Sequence, residues 1–310
     1  MDARLLEYFL RTVEHGSINR AADELGLAQP SLSRWLSLLE HDIGTPLLIR
    51  SPRGIALTDA GALLVERSPA ILHQIDLLRH EIGAKTGTQV AIGLTPSMQR
   101  VVTAPFIESC AADQPKVTLR VYEGINNALR RWMEDALLDV ALLVSLERAP
   151  AHFEVTPLVR ERMMLVAGRS AGLSMDRPVP LSRLADAEII MPGRPNVVRA
   201  YVENSLRRAG LKLVSRIEAE TLSLCIELSR RDLGHTPMPY CVVHGRLGSR
   251  ATISAAPIKG LFLTWNLCVN RARAHTSAVR RVAAALRQFV AERIACGDWP
   301  YAELLDDRGA

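Results

Sequence analysis

The sequence predicts a small all-α N-terminal part with a helix-turn-helix and a hairpin wing. A long linking helix and a larger α/β part follow. Three observations carry this. Up to Gly44, apolar residues recur at helical spacing in three segments separated by glycines. Residues 59–84 hold another helical stripe with no core of its own. From residue 88 onward, short β-branched runs alternate with helical stretches. A chain of 310 residues suits about two domains.

The first helix is read from Leu6, Phe9, Leu10 and Val13, which share one face. His15-Gly16 ends it, and Ser17 is a good N-cap for a second helix holding Ile18, Ala21, Ala22 and Leu25. A break at Gly26-Leu27-Ala28 leads to a third helix from about Gln29 to His41, with Pro30 in its first turn. Two short helices around a glycine-containing turn are a helix-turn-helix pattern. On a helical wheel Leu36 and Leu39 fall within about 40° of Leu32. Pro30, Ser33, Arg34 and Ser37 fall on the opposite face. Small side chains let a helix enter the major groove, where Ser, Gln and Arg can read base edges. An ordinary solvated face is the alternative.

Residues 47–57, LLIRSPRGIAL, are two apolar runs around Ser51-Pro52-Arg53-Gly54, a hairpin with Arg50 and Arg53 at or near its tip. Beside a reading helix it forms a wing, and its arginines suit phosphate or a narrow minor groove. Thr58 caps the next helix, where Leu64, Ile71, Ile75, Leu78 and Ile82 are spaced as in a coiled-coil seam. That stripe predicts pairing with a second copy. Pro69 predicts a kink or break near Arg67-Ser68. Lys85-Thr86-Gly87-Thr88 reads as a linker.

Beyond it, strands are expected at 89–94, 117–122, 140–144, 163–167, 188–191, 214–219, 251–255 and 262–269. Helices are expected at about 98–112, 126–136, 197–209, 222–231 and 276–294. The alternation predicts mostly parallel sheets, with ligands at the carboxyl ends of strands.

Net charge is +5, yet residues 1–87 carry nine Lys/Arg against eleven Asp/Glu, so the basic excess lies elsewhere. The pattern, not the charge, points to nucleic acid. The five cysteines are widely spaced without C-x-x-C, which argues against zinc or a disulfide framework. No nucleophile elbow, H-E-x-x-H or glycine-rich phosphate loop stands out, so an enzyme is not expected and no cofactor is implied. No stretch of about 18 apolar residues and no secretory leader is seen, so a cytoplasmic chain with no membrane partner is expected.

Residues 1–87 closely resemble the LysR-type transcriptional regulators. The resemblance rests on Phe9, Gly16-Ser17-Ile18-Asn19-Arg20-Ala21-Ala22, Leu25 and Gln29-Pro30-Ser31-Leu32-Ser33-Arg34. It continues through Leu39-Glu40, Gly44-Thr45-Pro46-Leu47-Leu48, Arg50, Arg53-Gly54, Leu57-Thr58 and Ala60-Gly61. Gly124, Leu129, Leu137-x-Asp139-Val140-Ala141, Gly234 and Pro237 extend it more weakly. Ser37 and Leu38 stand where the family often carries Arg or Lys, and Leu48 where it often has Phe. Ala28 replaces a frequent Ser, leaving the reading helix without a side-chain cap, and Trp35 is expected to pack in part.

The resemblance implies a winged helix-turn-helix (1–58), a dimerising linker helix (59–87) and an effector domain (88–303) like a periplasmic binding protein, with a tail at 304–310. Its first lobe would take about 88–161 plus 267–303, and its second 162–266. Implied partners are double-stranded operator or promoter DNA, a small-molecule effector, a second copy in a dimer or tetramer, and RNA polymerase. DNA contacts are expected from Ser17, Asn19, Arg20, Gln29, Pro30, Ser31, Ser33, Arg34, Ser37, Arg50 and Arg53. The effector is expected between the lobes, near Thr95-Pro96-Ser97, Asn126-Asn127, Ser145, Arg194, Asn196, Thr221 and His235. Ser97 reads equally as a plain N-cap and His235 as a structural residue; Arg194 is the candidate charge partner. These hydroxyls, amides and helix N-termini favour a small carboxylate or similar anion. Cys225 and Cys241 leave open a thiol-responsive member of the family.

Overall fold

A computed structural model describes residues 2–51, 54–83, 89–144, 152–248 and 251–305. Arg53, Ser145 and the linker at 85–88 lie outside the described residues, as do the side chains of Leu78 and Ile82. The chain divides into two compact units, one built on Met1–Gly87 and one holding most of the rest.

In the first unit, α1 (Ala3–His15) opens on Asp2, whose carboxylate accepts from the Arg4 N–H, and closes on Gly16 at φ 62°. Helix α2 spans Ile18–Glu24 and α3 spans Gln29–Ile43. Ser17 occupies the N-cap of α2, but its side chain makes no capping bond there. Ala28 likewise caps α3 with backbone alone, and Gly44 ends α3 at φ 82°. Phe9, Ala21, Ala22, Leu32, Leu36 and Leu39 form the shared core. Strands β1 (Leu48–Ser51) and β2 (Gly54–Leu57) pair antiparallel as the wing. Gly54 has φ 127°, and a Cβ there would stand 2.7 Å from the Gly16 carbonyl oxygen. That close approach lets the Ile55 N–H donate to the same carbonyl. The wing is thereby tied to the α1–α2 turn.

Helix α4 (Asp59–Gly83) begins on Thr58, whose hydroxyl donates to the Pro46 carbonyl and accepts from the Gly61 N–H. It runs through Pro69 as one helix, so of the expected kink or break, the break does not occur. Nor is Leu64 part of a free seam, because it packs with Val65 and Leu72 against the helix-turn-helix core. The start of α4 is needed to close that small core. Of the expected stripe beyond it, Ile71 is exposed and Ile75 half-buried.

The second unit holds a seven-stranded sheet in the order β11-β6-β10-β5-β3-β4, with β9 also paired to β6. Its strands are β3 (Gln89–Leu94), β4 (Thr118–Glu123), β5 (Val140–Val144), β6 (Phe153–Gly168), β9 (Thr236–Pro239), β10 (Ile253–Asn270) and β11 (Ala302–Leu304). Strands β7 (Ile189–Met191) and β8 (Ser215–Glu218) form a separate parallel pair. The expectation of mostly parallel sheets is corrected. In the large sheet only β3 pairs parallel, with β4 and β5, and the pairings of β5, β6, β9, β10 and β11 otherwise run antiparallel. The segments expected at 163–167 and 262–269 are the ends of two long strands, β6 and β10. Arg160-Glu161-Arg162 and Lys259-Gly260 interrupt their apolar patterns, and Pro157 removes a ladder donor where the register shifts between Trp265 and Asn266.

These two strands connect two lobes. The first lobe holds β3–β5, α5 (Ala104–Asp113), α6 (Asn126–Glu134) and α11 (Ser277–Ala295). The second holds α7 (Arg183–Asp186), β7, α8 (Val197–Arg208), β8, α9 (Leu222–Arg230), β9 and α10 (Tyr240–Val243). The single helix expected at 98–112 is instead a 3₁₀ turn at Pro96–Met98, a π turn at Gln99–Thr103, and α5. Pro105 lacks the donor that a continuous α-helix needs, so the chain widens by a residue before it.

Candidate functional site

Two places gather the candidate side chains. On the first unit, Arg34 and Ser37 project from α3 exposed, and Ser33 is half-buried. Gln29 and Pro30 open that helix exposed, with Ser31 half-buried. Arg50 reaches from β1 to this face, donating to Ser33 Oγ at 2.8 Å and Ser37 Oγ at 3.1 Å. It also lies 3.5 Å from Glu40. Glu40 in turn accepts from the Leu47 and Leu48 N–H groups at 2.9 and 3.1 Å, which fixes the entry to the wing. The wing thus places a guanidinium over the position where α3 itself carries only Ser37. Asn19 and Arg20 are exposed on α2, and Ser17 is half-buried before it. Trp35 packs in part, stacked on Tyr8 with ring centroids 4.9 Å apart.

On the second unit a cavity of about 440 Å³ opens between the lobes. Thr95, Pro96 and Ser97 line it after β3, Asn126 at the start of α6, Asn196 before α8, and Thr221 before α9. Thr95 and Ser97 are buried, with their hydroxyl oxygens 2.6 Å apart. The Thr221 hydroxyl caps α9 by accepting from Leu224 N–H at 3.3 Å, and Asn196 caps α8 by accepting from Arg199 N–H. Met191, Val197, Ile226, Met238 and Trp265 supply apolar wall.

Three expected wall residues stand elsewhere. Arg194 is exposed and held by Glu203 at 2.6 Å, so it is not aimed into the cavity. Asn127 donates to the Pro195 carbonyl at 3.1 Å, a bond from the first lobe to the second. His235 lies outside the lining: its backbone bonds both Glu188 and Ile190, and burial lowers the pKa of its ring.

Residues 3–62 match the family model described as "Bacterial regulatory helix-turn-helix protein, lysR family", and residues 84–291 match "LysR substrate binding domain". The chain belongs to the LysR-type transcriptional regulators. It is similar to the nitrogen assimilation regulatory protein nac of Klebsiella aerogenes, 32% identical over 80% of this chain and 82% of that protein. The HTH-type transcriptional regulator BbuR of Bordetella bronchiseptica is 27% identical over 97% of this chain and 93% of that protein. The hydrogen peroxide-inducible genes activator of Haemophilus influenzae is 27% identical over 83% of this chain and 86% of that protein. In fold, the chain resembles full-length CbnR solved with its target DNA, with a TM-score of 0.73 at 20% identity, covering 93% of this chain and 100% of that one.

As a LysR-type regulator the chain binds DNA and carries an effector-binding domain. Its cavity has features that no sequence motif announced. Arg100, on the π turn, and Arg246, past α10, both line it. Beneath it, Glu161 on β6 is fully buried and accepts from the Cys241 N–H at 2.5 Å, Trp265 Nε1 at 2.6 Å and Trp299 Nε1 at 2.8 Å. Burial pushes its carboxyl up to about 7, against the pull of those three donors. Cys225 and Cys241 also line the cavity, and burial raises the Cys225 thiol to about 11 and the Cys241 thiol well above its ordinary value. Among the described residues, no helix is long and apolar enough to cross a membrane.

Proposed function

We propose that this LysR-type regulator reads operator DNA with the exposed face of α3 and the β1–β2 wing, and answers to a small carboxylate or similar anion in the interlobe cavity. The reading rests above all on the convergence of Thr95, Ser97, Asn126, Asn196 and Thr221, from both lobes, on one cavity. Their hydroxyls and amides, with the helix starts behind them, offer donors to an oxyanion. The protein works in the cytoplasm as a homodimer or tetramer paired through α4 beyond Ile71, and acts on promoters by binding, not by turnover.

A thermal-shift screen of small organic acids tests the effector class. Binding at 100 times the dissociation constant adds ~2.7 kcal/mol of stability. The Thr95→Val/Ser97→Ala variant should lose most of the shift. If only aromatic or uncharged compounds shift the wild type, or the variant shifts equally, the reading is wrong. A thiol-responsive role has a basis in the hydrogen-peroxide-inducible relatives and in two cavity cysteines. Raised thiol pKa values oppose it, since the thiolate is the reactive form. Replacing both cysteines with Ser should leave induction intact.

A further inference from the structure

Two cations from opposite lobes share one end of the cavity. Arg100 stands on the π turn of the first lobe, and Arg246 follows α10 in the second. Helix α10 packs directly against the turns at 96–103. A Cβ at Gly245 would stand 3.5 Å from Arg100 Nη1, so the Arg100 guanidinium reaches the turn that carries Arg246. Among the described residues, neither guanidinium forms a hydrogen bond or an ion pair. The described lining holds one carboxylate, Glu220, and one of its oxygens already accepts from the Gly193 N–H at 3.0 Å. Both side chains are exposed at this end of the cavity, and two cations held near each other there repel, a repulsion that an anion between them offsets.

We propose that Arg100 and Arg246 form a two-guanidinium clamp for an oxyanion group (carboxylate, sulfonate or phosphate) that bridges the two lobes at this end of the cavity. This rests on the reading of the cavity as the effector site and adds which end takes the charge. Partial desolvation and then the nearby Arg100 charge lower the Arg246 pKa, so the two guanidinium groups are close enough to repel. Guanidinium forks match oxyanions in planar, charge-assisted pairs. An anion between them cancels their repulsion and makes contacts that an open cavity cannot, so it favours approach of the lobes.

The clamp is tested on the full-length protein with inorganic sulfate, by melting temperature against sodium chloride at matched ionic strength. Wild type should show a sulfate-specific rise. Arg100→Gln and Arg246→Gln should each weaken apparent sulfate affinity about tenfold or more, by loss of a charged hydrogen-bonding partner. The double variant should show no sulfate-specific rise, while Arg208→Gln, on the exposed end of α8, behaves as wild type. A double variant that keeps the wild-type response, or a wild type with none, overturns the clamp. The same variants in the organic-acid screen separate the two ideas. Acids that bind the double variant as tightly as wild type sink the clamp but leave the effector reading. Arginine-dependent sulfate binding with no response to any acid leaves the clamp and sinks the acid effector.

Discussion

Arg50 is the residue on which the first unit's interface turns, because it belongs to the wing yet sits on the α3 face, held by Ser33 and Ser37. Arg34 stands exposed on that helix, with no such tethers among the described residues. The two arginines should fail differently. Arg34→Ala is expected to cost ~1–3 kcal/mol on the operator and to relax base preference. Arg50→Ala is expected to weaken binding to all sequences and to lower the salt slope by about one. Anisotropy titrations with operator and scrambled DNA at several salt concentrations separate them; equal losses on both DNAs for Arg34→Ala would remove its base-reading role. Glu161 carries a prediction of another kind. Its pKa is raised on folding, so the folded state holds the proton more tightly and stability falls as pH rises from the ordinary carboxylate range through about 7. The drop from this group is roughly 3 kcal/mol. His235 and His244, whose pKa values burial lowers, act in the opposite sense. The difference between wild type and Glu161→Gln isolates the carboxyl: denaturant unfolding from pH 4.5 to 8 should show the wild type losing stability relative to the variant. Parallel curves would mean that Glu161 does not titrate there.

At the scale of elements, the junction of wing and α4 depends on Gly61, where a Cβ would stand 2.1 Å from the Leu47 carbonyl oxygen. Backbone must move to admit it. Gly61→Ala should destabilise the N-terminal unit by about 1–3 kcal/mol and impair operator binding, read by calorimetry and gel shift. Further along α4, Ile75→Asp puts a charge into the stripe left after Leu64 turns inward. Ultracentrifugation should show smaller assemblies than wild type, and a wild type that is already monomeric at micromolar concentration would refute pairing through α4. The helices of this unit were legible because each announces itself twice, by an apolar face and by a terminal glycine such as Gly16 or Gly44. The long strands were not. Charged residues at 160–162 and Lys259-Gly260 break the apolar runs of β6 and β10 where the strands pass between lobes, so each read as a short piece. The π turn was hidden too, since the apolar spacing of 98–112 suits a plain helix and only Pro105 argues otherwise.

For the whole molecule, the cavity was legible where it follows a strand end, as at Thr95 and Asn126, because that placement comes from topology. Arg100 and Arg246 belong to no periodic pattern, and only three dimensions bring them together. Arg194 was misplaced for a related reason: its partner Glu203 lies nine residues on, across a turn that no spacing rule foresees. Two lobes joined by β6 and β10 move relative to each other only if their contacts can open. The Asn127 Nδ2 to Pro195 O bond is one such contact, lying outside the cavity lining. An exposed hydrogen bond of this kind contributes ~0.5–1.5 kcal/mol. Asn127→Ala should therefore shift the lobes toward the open state and weaken effector binding by about two- to tenfold, although no ligand touches the residue. Coupling is reciprocal, so if operator DNA tightens effector binding by some factor, the effector must tighten operator binding by the same factor. The variant should shift effector affinity with and without DNA alike, leaving that factor unchanged. Calorimetric titration of the effector in both conditions measures all the terms. An unchanged dissociation constant for Asn127→Ala would show that this bond persists in both lobe arrangements.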